Sequence, residues 1–334
     1  MSQTYRALEL QQFARTLRDA AAIVDLPLRT PGPGEVAVRN TWAGVNGLFD
    51  VQIARNAVDY VKVGLPCAMG VEAVGVVETI GHGVTGLTVG DAVASVRFGG
   101  GYREMNIAPA ATFVKVDAAD PAALILASTG VSAHVALNVI GEAKAGETVA
   151  ISAAAGGLGH ILVQLAHAKG CKVIAICGGA TKAAFVRELG ADVVIDYRAQ
   201  SVGEVLTRDY RDALDVAIDT VGGAIFDAFS DNLARHGRLV VGGVAQDMDG
   251  GAEVVTSPRI AHKLYYKAAS VRGFMNGLLA EHWPAARAEL AELVAAGKLK
   301  AVADAQPFIG LENVYDAVDW LNSGRSMGKV MVRL

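Results

Sequence analysis

The chain of 334 residues contains only three cysteines, Cys67, Cys171 and Cys177, and no Cys-x-x-Cys pair. An odd count without such a pair offers no zinc-type cysteine motif. Cys171 and Cys177 flank or end a stretch that reads as a buried strand, where cysteine acts as a small hydrophobe. Charge of one sign is also scarce: 30 Lys and Arg against 34 Asp and Glu leave a net −4. That balance gives no reason to expect nucleic acid or an anionic membrane as partner. Apolar runs are broken by Gly, Asp or Lys before the roughly 18 residues a membrane span needs. Residues 1–10 carry Arg6 and Glu9 and no apolar signal core, so a cytoplasmic protein is expected. No internal repeat or low-complexity segment is present. What remains is an ordered globular composition, 52% hydrophobic and 19% charged, long enough for two domains with separate cores.

The most informative stretch is Val149-Ala150-Ile151-Ser152-Ala153-Ala154-Ala155-Gly156-Gly157-Leu158-Gly159, followed by His160-Ile161-Leu162-Val163-Gln164-Leu165. It reads as a buried strand, a turn of small residues, and an amphipathic helix with Leu158, Ile161, Leu162 and Leu165 on one face. Backbone N–H groups at a helix start attract phosphate, and the small residues let a ligand approach. The spacing Ala154-x-Gly156-x-x-Gly159 is a relative of the dinucleotide fingerprint, with Ala in the first glycine position. A second buried strand, Cys171 to Cys177, ends in Gly178-Gly179-Ala180-Thr181-Lys182. An acidic residue at this strand end grips the ribose hydroxyls of NAD. Here glycine makes room and Lys182 can neutralise a 2′-phosphate, so the cofactor expected is NADPH (NADP+).

Along the chain, residues 1–125 are glycine-rich and read as short strands without long helices, as in a small barrel. A helix is expected from Pro121 to Leu137. Strand–helix alternation follows, with further strands near residues 193–197, 214–219, 237–242 and 269–274, which implies a doubly wound parallel sheet. A long helix over residues 283–296 comes next, and the tail would rejoin the first domain.

These residues resemble the zinc-independent medium-chain dehydrogenase/reductases, especially the quinone oxidoreductase-like enzymes, over nearly the whole length. The markers are Gly44-Val45-Asn46 with Asp50, Gly70-Val71-Glu72, Val89-Gly90-Asp91-Ala92-Val93, Ala153 to Gly159, Lys182 with Tyr197, Asp219-Thr220-Val221-Gly222-Gly223, and Gly328-Lys329-Val330. Val271-Arg272-Gly273-Phe274 and the loop before it look most like the prostaglandin reductase 3 branch. The resemblance implies an α/β protein: a GroES-like β-barrel catalytic domain (residues 1–125 and 276–334) and a Rossmann NADPH-binding domain (residues 126–275). Catalytic zinc takes three protein ligands. Val71 stands where the zinc-dependent relatives carry histidine, and no cysteine lies near Asn46, so no metal is expected.

Within the resemblance, Ala155, Gly156, Gly157, Leu158 and Gly159 meet the pyrophosphate. Gly178, Gly179, Lys182 and Tyr197 take the 2′-phosphate end, with Arg198 as a possible second cation or a solvated surface residue. Ser132, Gly242, Gly243, Phe274 and Met275 approach the nicotinamide half, Asn46 is a cofactor or substrate hydrogen-bond partner, Val221 is a further cofactor contact, and Gly328 and Lys329 form the closing cofactor contact. Asn46 could equally cap a turn, and Ser132 could be an ordinary helix serine. Asp50, Tyr265 and Tyr266 are assigned to the substrate pocket, whose shape residues 54–66 and 246–266 would set. Asn46, Tyr265 and Tyr266 are the catalytic candidates; a tyrosine could orient an enone oxygen or supply a proton, although paired tyrosines also simply pack. His160 and His167 are expected as surface or packing residues.

The activity implied is NADPH-dependent hydride transfer to the C=C of α,β-unsaturated carbonyls (enones, alkenals, 15-keto-type lipids) or to quinones. The alternatives are an NADPH-binding protein without turnover and a one-electron quinone reductase. A homodimer through residues 270–275 is expected from the same resemblance.

Overall fold

The computed structural model describes residues 3–58, 61–249 and 253–334. The two segments expected to shape the pocket therefore include residues 59–60 and 250–252, which lie outside the described residues. In chain order the strands are Thr4–Leu10 (β1), Ala21–Pro27 (β2), Glu35–Gly44 (β3), Cys67–Ala68 (β4), Glu72–Ile80 (β5), Ala92–Val96 (β6), Met105–Pro109 (β7), Phe113–Lys115 (β8), Thr148–Ile151 (β9), Lys172–Cys177 (β10), Val193–Asp196 (β11), Leu214–Asp219 (β12), Leu233–Val241 (β13), Ser270–Gly273 (β14) and Met331–Arg333 (β15). The chain divides into two compact units, Met1–Ser128 with Ala301–Leu334, and Thr129–Lys300.

In the first unit the described strands pair antiparallel, and two isolated bridges, Ala303 with Lys329 and Ile309 with Arg333, are parallel. A three-stranded sheet runs β2-β1-β4, and a six-stranded sheet runs β15-β3-β5-β6-β8 with β7 also on β3. The β3–β5 register slips twice, at Ala37/Val38 and Asn40/Trp42. Such bulges bend strands toward barrel closure. Leu8, Leu10, Met69, Tyr102, Val314 and Val332 are buried in the core, which is how the C-terminal strand is held in this unit.

In the second unit every pairing is parallel, in the order β11-β10-β9-β12-β13-β14. Numbered within the unit this is 3-2-1-4-5-6, the doubly wound order, and direction reverses between β9 and β12. Val149 to Ile151, Val173 to Ile176 and Val216 to Ile218 are buried on both faces, as parallel strands require.

Two expectations need correction. Residues 276–300 belong to the second unit and not the first. The helix Trp283–Ala295 buries Ala286 and Leu290 and reaches His134 through Glu289 at 2.7 Å. Gln164 pairs with both the N–H and the carbonyl of Lys300. The helix Pro121–Ile140 is also long and apolar enough, by length and composition alone, to cross a membrane. Ser, Thr, Gly, His and Asn interrupt its apolar residues, but no Asp, Glu, Lys or Arg does, and 61% of its most apolar window is buried inside the protein.

Candidate active site

The switch point between β9 and β12 is built by one buried carboxylate. Asp219 is fully buried. It accepts hydrogen bonds from the Ser152 hydroxyl at 2.8 Å, the Val221 N–H at 2.9 Å and the Gly222 N–H at 3.1 Å. The Thr220 N–H returns a bond to Ser152 Oγ at 2.8 Å. Two loops at adjacent strand ends are thus tied together, and Val221 is fixed where a ligand on the sheet edge would meet it. The turn after β9 leads into the helix Gly159–Ala168. A side chain at Gly159 would lie 2.3 Å from the Ala153 carbonyl, so this glycine lets the helix pack onto its turn. The N–H groups of His160 and Ile161 already donate to the Gly156 and Leu158 carbonyls at 3.0 and 3.2 Å, and the Gly156 N–H donates to the Ala153 carbonyl at 2.9 Å, so the expected pyrophosphate contact through the Gly156 amide is corrected; the helix start carries the positive end of its dipole. Gly156, Gly157 and Leu158 lead directly into that end. His160 is buried with Nδ1 3.0 Å from the Gly156 carbonyl, and His167 is exposed.

At the end of β10, a Cβ on Gly178 would stand 2.7 Å from the Tyr197 ring and 2.9 Å from Arg198 Nε. Tyr197 and Arg198, just past β11, therefore lie over a position that tolerates no side chain. Gly179, at φ 89°, caps the helix Ala180–Glu188 and donates its N–H to Asp196 Oδ1 at 2.9 Å. Arg198 N–H donates to the same oxygen at 2.9 Å. These two backbone bonds, that from Gly179 first, hold the Asp196 carboxyl below its ordinary range. Lys182 sits half-buried in the first turn of that helix. Asp196 escaped the sequence reading, although its place at the end of an apolar strand was a visible signal. The residues fit a 2′-phosphorylated ribose: cations, a phenol and a gap where a ribose-gripping carboxylate would project.

Farther along the same edge, Gly242 N–H donates to the Asp219 carbonyl at 2.7 Å, Gln246 N–H to Val221 at 2.8 Å and Phe274 N–H to Val241 at 3.0 Å. Val221, Gly242, Gly243 and Phe274 are thereby gathered at the ends of β12, β13 and β14. A cavity of about 310 Å³ adjoins them, lined by Gly222, Gly243, Val244, Phe226 and Ile260 among others. Ser132 Oγ accepts from Asn276 Nδ2 at 2.8 Å, and Asn276 Oδ1 accepts from Trp283 Nε1 at 3.0 Å. Asn276, next to the half-exposed Met275, was not anticipated. Tyr265 and Tyr266 correct an expectation: they end the short helix Ala261–Tyr265 instead of lying in a loop. They are 80% and 79% exposed, packed edge to face at 5.1 Å, and neither lines the cavity. Leu264 packs toward the core and the helix turns both rings outward.

The first unit contains a buried polar cluster around Asn46. Lys329 Nζ lies 2.5 Å from Glu72 Oε1, 3.0 Å from the Val45 carbonyl and 3.1 Å from Asn46 Oδ1, which uses all three of its donors. Asn46 Nδ2 donates to Glu72 Oε1 at 2.9 Å. Burial alone would raise the Glu72 carboxyl, but Lys329, Ser128 and Asn46 together hold it below its ordinary range. Gly44 is required here, because a Cβ would lie 2.5 Å from Glu72 Oε1. Asp50, fully buried, accepts from the Tyr102 hydroxyl at 2.6 Å and from the Asn46 N–H at 3.3 Å. Burial pushes the Asp50 carboxyl up to about 6 against those bonds. Asp50 thus supports Asn46 from beneath and is no exposed pocket wall. Lys329 likewise points into this cluster, contrary to its expected place at the cofactor, and Gly328 precedes it at the turn into the Lys329–Val302 backbone pairing. Asn46 makes no capping bond to the helix Gly47–Ala54, so the turn-capping alternative does not hold.

Zinc does not fit these donors. Among the described residues no three His, Cys, Asp or Glu side chains are grouped to share a metal ion. The carboxylate of Glu72, beside Val71, is committed to Lys329.

A model of the alcohol dehydrogenase GroES-like domain matches residues 32–118, and one described as zinc-binding dehydrogenase matches residues 157–292. Prostaglandin reductase-3 of Mus musculus is 35% identical over 319 residues, 93% of this chain and 84% of that protein. A probable quinone oxidoreductase of Leishmania amazonensis is 33% identical over 336 residues, 99% of this chain and 98% of that one. Among solved structures, the Escherichia coli quinone oxidoreductase complexed with NADPH superposes with a TM-score of 0.84 at 27% identity, covering 98% of this chain and 100% of that one. A mycobacterial protein complexed with NADPH gives 0.84 at 29% identity, over 99% and 100% of the two chains. With a GroES-like unit, a doubly wound unit and relatives of this similarity across its length, the chain belongs to the medium-chain dehydrogenase/reductase superfamily of oxidoreductases.

Proposed function

We propose that this protein is an NADPH-dependent, zinc-independent reductase that transfers hydride to the C=C of α,β-unsaturated carbonyl compounds, such as enones, alkenals and 15-keto-type lipids, or to quinones. The observation that carries the cofactor choice is the end of β10. There Gly178 leaves space beneath Tyr197 and Arg198, and Lys182 follows within one helical turn. The prostaglandin reductase and quinone oxidoreductase relatives support the substrate class.

When bound, NADPH supplies the hydride. The second unit's residues would hold and orient it: the amides of Gly157, Leu158 and Gly159 on the pyrophosphate, Lys182 and Tyr197 on the 2′-phosphate, and Val221, Gly242, Gly243, Phe274 and Met275 along the nicotinamide half. Without a metal to polarise an oxygen, a conjugated carbonyl or quinone is the suitable acceptor, because its own oxygen takes the developing charge. Asn46 offers that oxygen a hydrogen bond, and solvent supplies the final proton. Much of the rate enhancement then comes from orientation. A homodimer through the edge strand β14 and a cytoplasmic location complete the reading.

The test is oxidation of NADPH, followed by its near-ultraviolet absorbance, against enones, alkenals, a 15-keto lipid and quinones, with NADH and Lys182→Ala run beside it. Turnover with NADPH that Lys182→Ala weakens is the expected result. Tight NADPH binding with no turnover of any substrate would replace the reductase by a binding protein. Oxygen consumption with quinones would indicate one-electron transfer.

A further inference from the structure

Glu72 and Lys329 do more than neutralise each other. The two ends of a carboxamide are alike in shape but opposite in hydrogen bonding, since the oxygen accepts and the nitrogen donates. A carboxylate only accepts and an ammonium only donates. Asn46 therefore fits between them one way round, with Nδ2 toward Glu72 at 2.9 Å and Oδ1 toward Lys329 at 3.1 Å. Turning the amide over would place oxygen against carboxylate and N–H against ammonium, in a site where both charges are buried. Low local dielectric makes such mismatches costly. The backbone beneath is held separately, because the Asn46 N–H donates to Asp50, itself held by Tyr102. Asn46 remains half-buried, its φ and ψ of −120° and 53° lie outside the helix it precedes, and its side chain makes no capping bond. The cluster uses one of its two Nδ2 hydrogens.

We infer that Glu72 and Lys329 are positioning residues that lock the Asn46 carboxamide in one orientation, so that its second Nδ2–H is held ready as a donor to the oxygen of a bound carbonyl or quinone. The identity of that oxygen rests on the proposed reductase activity; the locked orientation does not. A donor fixed before the reaction stabilises a developing oxyanion without reorganising when the charge appears.

The informative variant is the double substitution Glu72→Gln with Lys329→Met in the full chain. It removes both charges together, so no unpaired ion is left buried, and glutamine no longer dictates which way the amide faces. Three quantities are read: NADPH affinity by fluorescence, hydrogen exchange of the Asn46 side-chain amide by nitrogen–proton NMR on asparagine-labelled protein, and kcat and KM separately. The expected result is a folded protein with NADPH affinity within about twofold of wild type and Asn46 amide exchange at least about tenfold faster. Its kcat should be about tenfold lower at nearly constant KM, a loss of about 1.4 kcal/mol in transition-state stabilisation. Asn46→Ala should lower kcat about 100-fold. Wild-type amide exchange and wild-type kcat in the double variant would overturn the positioning role while leaving the reductase assignment standing. If wild type turns over nothing, the reductase assignment fails, and the NMR comparison alone still decides the orientation.

Discussion

At the sheet edge of the second unit, the turns present backbone amides and missing side chains, with Lys182, Tyr197 and Arg198 as the side chains near the end of β10. Asp219 works from below by tying the β9 and β12 loops together. In the first unit the arrangement is reversed: Asn46, Asp50, Glu72, Tyr102 and Lys329 meet as buried side chains, with Glu72 and Lys329 forming an ion pair. A backbone site depends on local geometry and survives many substitutions that keep residues small. A buried charge cluster depends on every partner, because removing one leaves another desolvated and unpaired.

That contrast can be broken most forcefully at Lys329. Lys329→Met alone should cost about 3–5 kcal/mol of stability, since Glu72 would be left charged and buried. Urea unfolding measures it, and the Glu72→Gln/Lys329→Met double variant should recover much of the loss. In the second unit the comparable weak point is Asp219→Ala. It strands the Ser152 hydroxyl and the Val221 and Gly222 N–H groups, for about 2–4 kcal/mol. NADPH affinity should fall with it, whereas Lys329→Met should leave affinity nearly unchanged in whatever fraction stays folded.

The pH response separates the same regions. Asp50 titrates near 6 in the folded chain, above its unfolded value near 4, so the folded state binds the extra proton. Stability should therefore decline as pH rises from about 4 to 6, by about 2–3 kcal/mol, and level off above. Glu72 acts in the opposite sense and lower: its folded pKa is depressed, so its contribution is present above the unfolded value and lost as pH falls through the folded one. Thermal midpoints of wild type and Asp50→Asn across this range test the first statement; the variant should lose the decline between pH 4 and 6. The smallest expected effect is at the ribose end. Lys182→Ala should weaken NADPH about 10-fold, about 1.4 kcal/mol, while NADH binding hardly changes. Gly178→Val should weaken both cofactors, because the new side chain displaces Tyr197 and Arg198.

Legibility from sequence followed the same division. The strand–turn–helix around Gly156 and Gly159, the second strand ending at Gly178 and the succession of six strands are local or periodic features, and all six strands lie where the apolar runs placed them. That Tyr197 lies against Gly178 emerged only from the structure. The cluster in the first unit was visible only as separate markers, because Asn46 and Lys329 stand 283 positions apart. Nothing in Gly70-Val71-Glu72 says that its carboxylate faces a lysine at the far end of the chain. Tyr265 and Tyr266 misled for a related reason: an adjacent aromatic pair looks chemical until the helix phase set by Leu264 turns it to solvent.

The sequence by itself determined the doubly wound unit and its small-residue turns, because periodicity and turn residues act over short stretches of chain. Only the tertiary structure decided that residues 276–300 join the second unit, that Lys329 turns inward, and that Glu72 and Lys329 face Asn46 from opposite ends of its amide. Those outcomes depend on which distant segments share a core, and that is fixed by packing and burial, not by spacing along the chain.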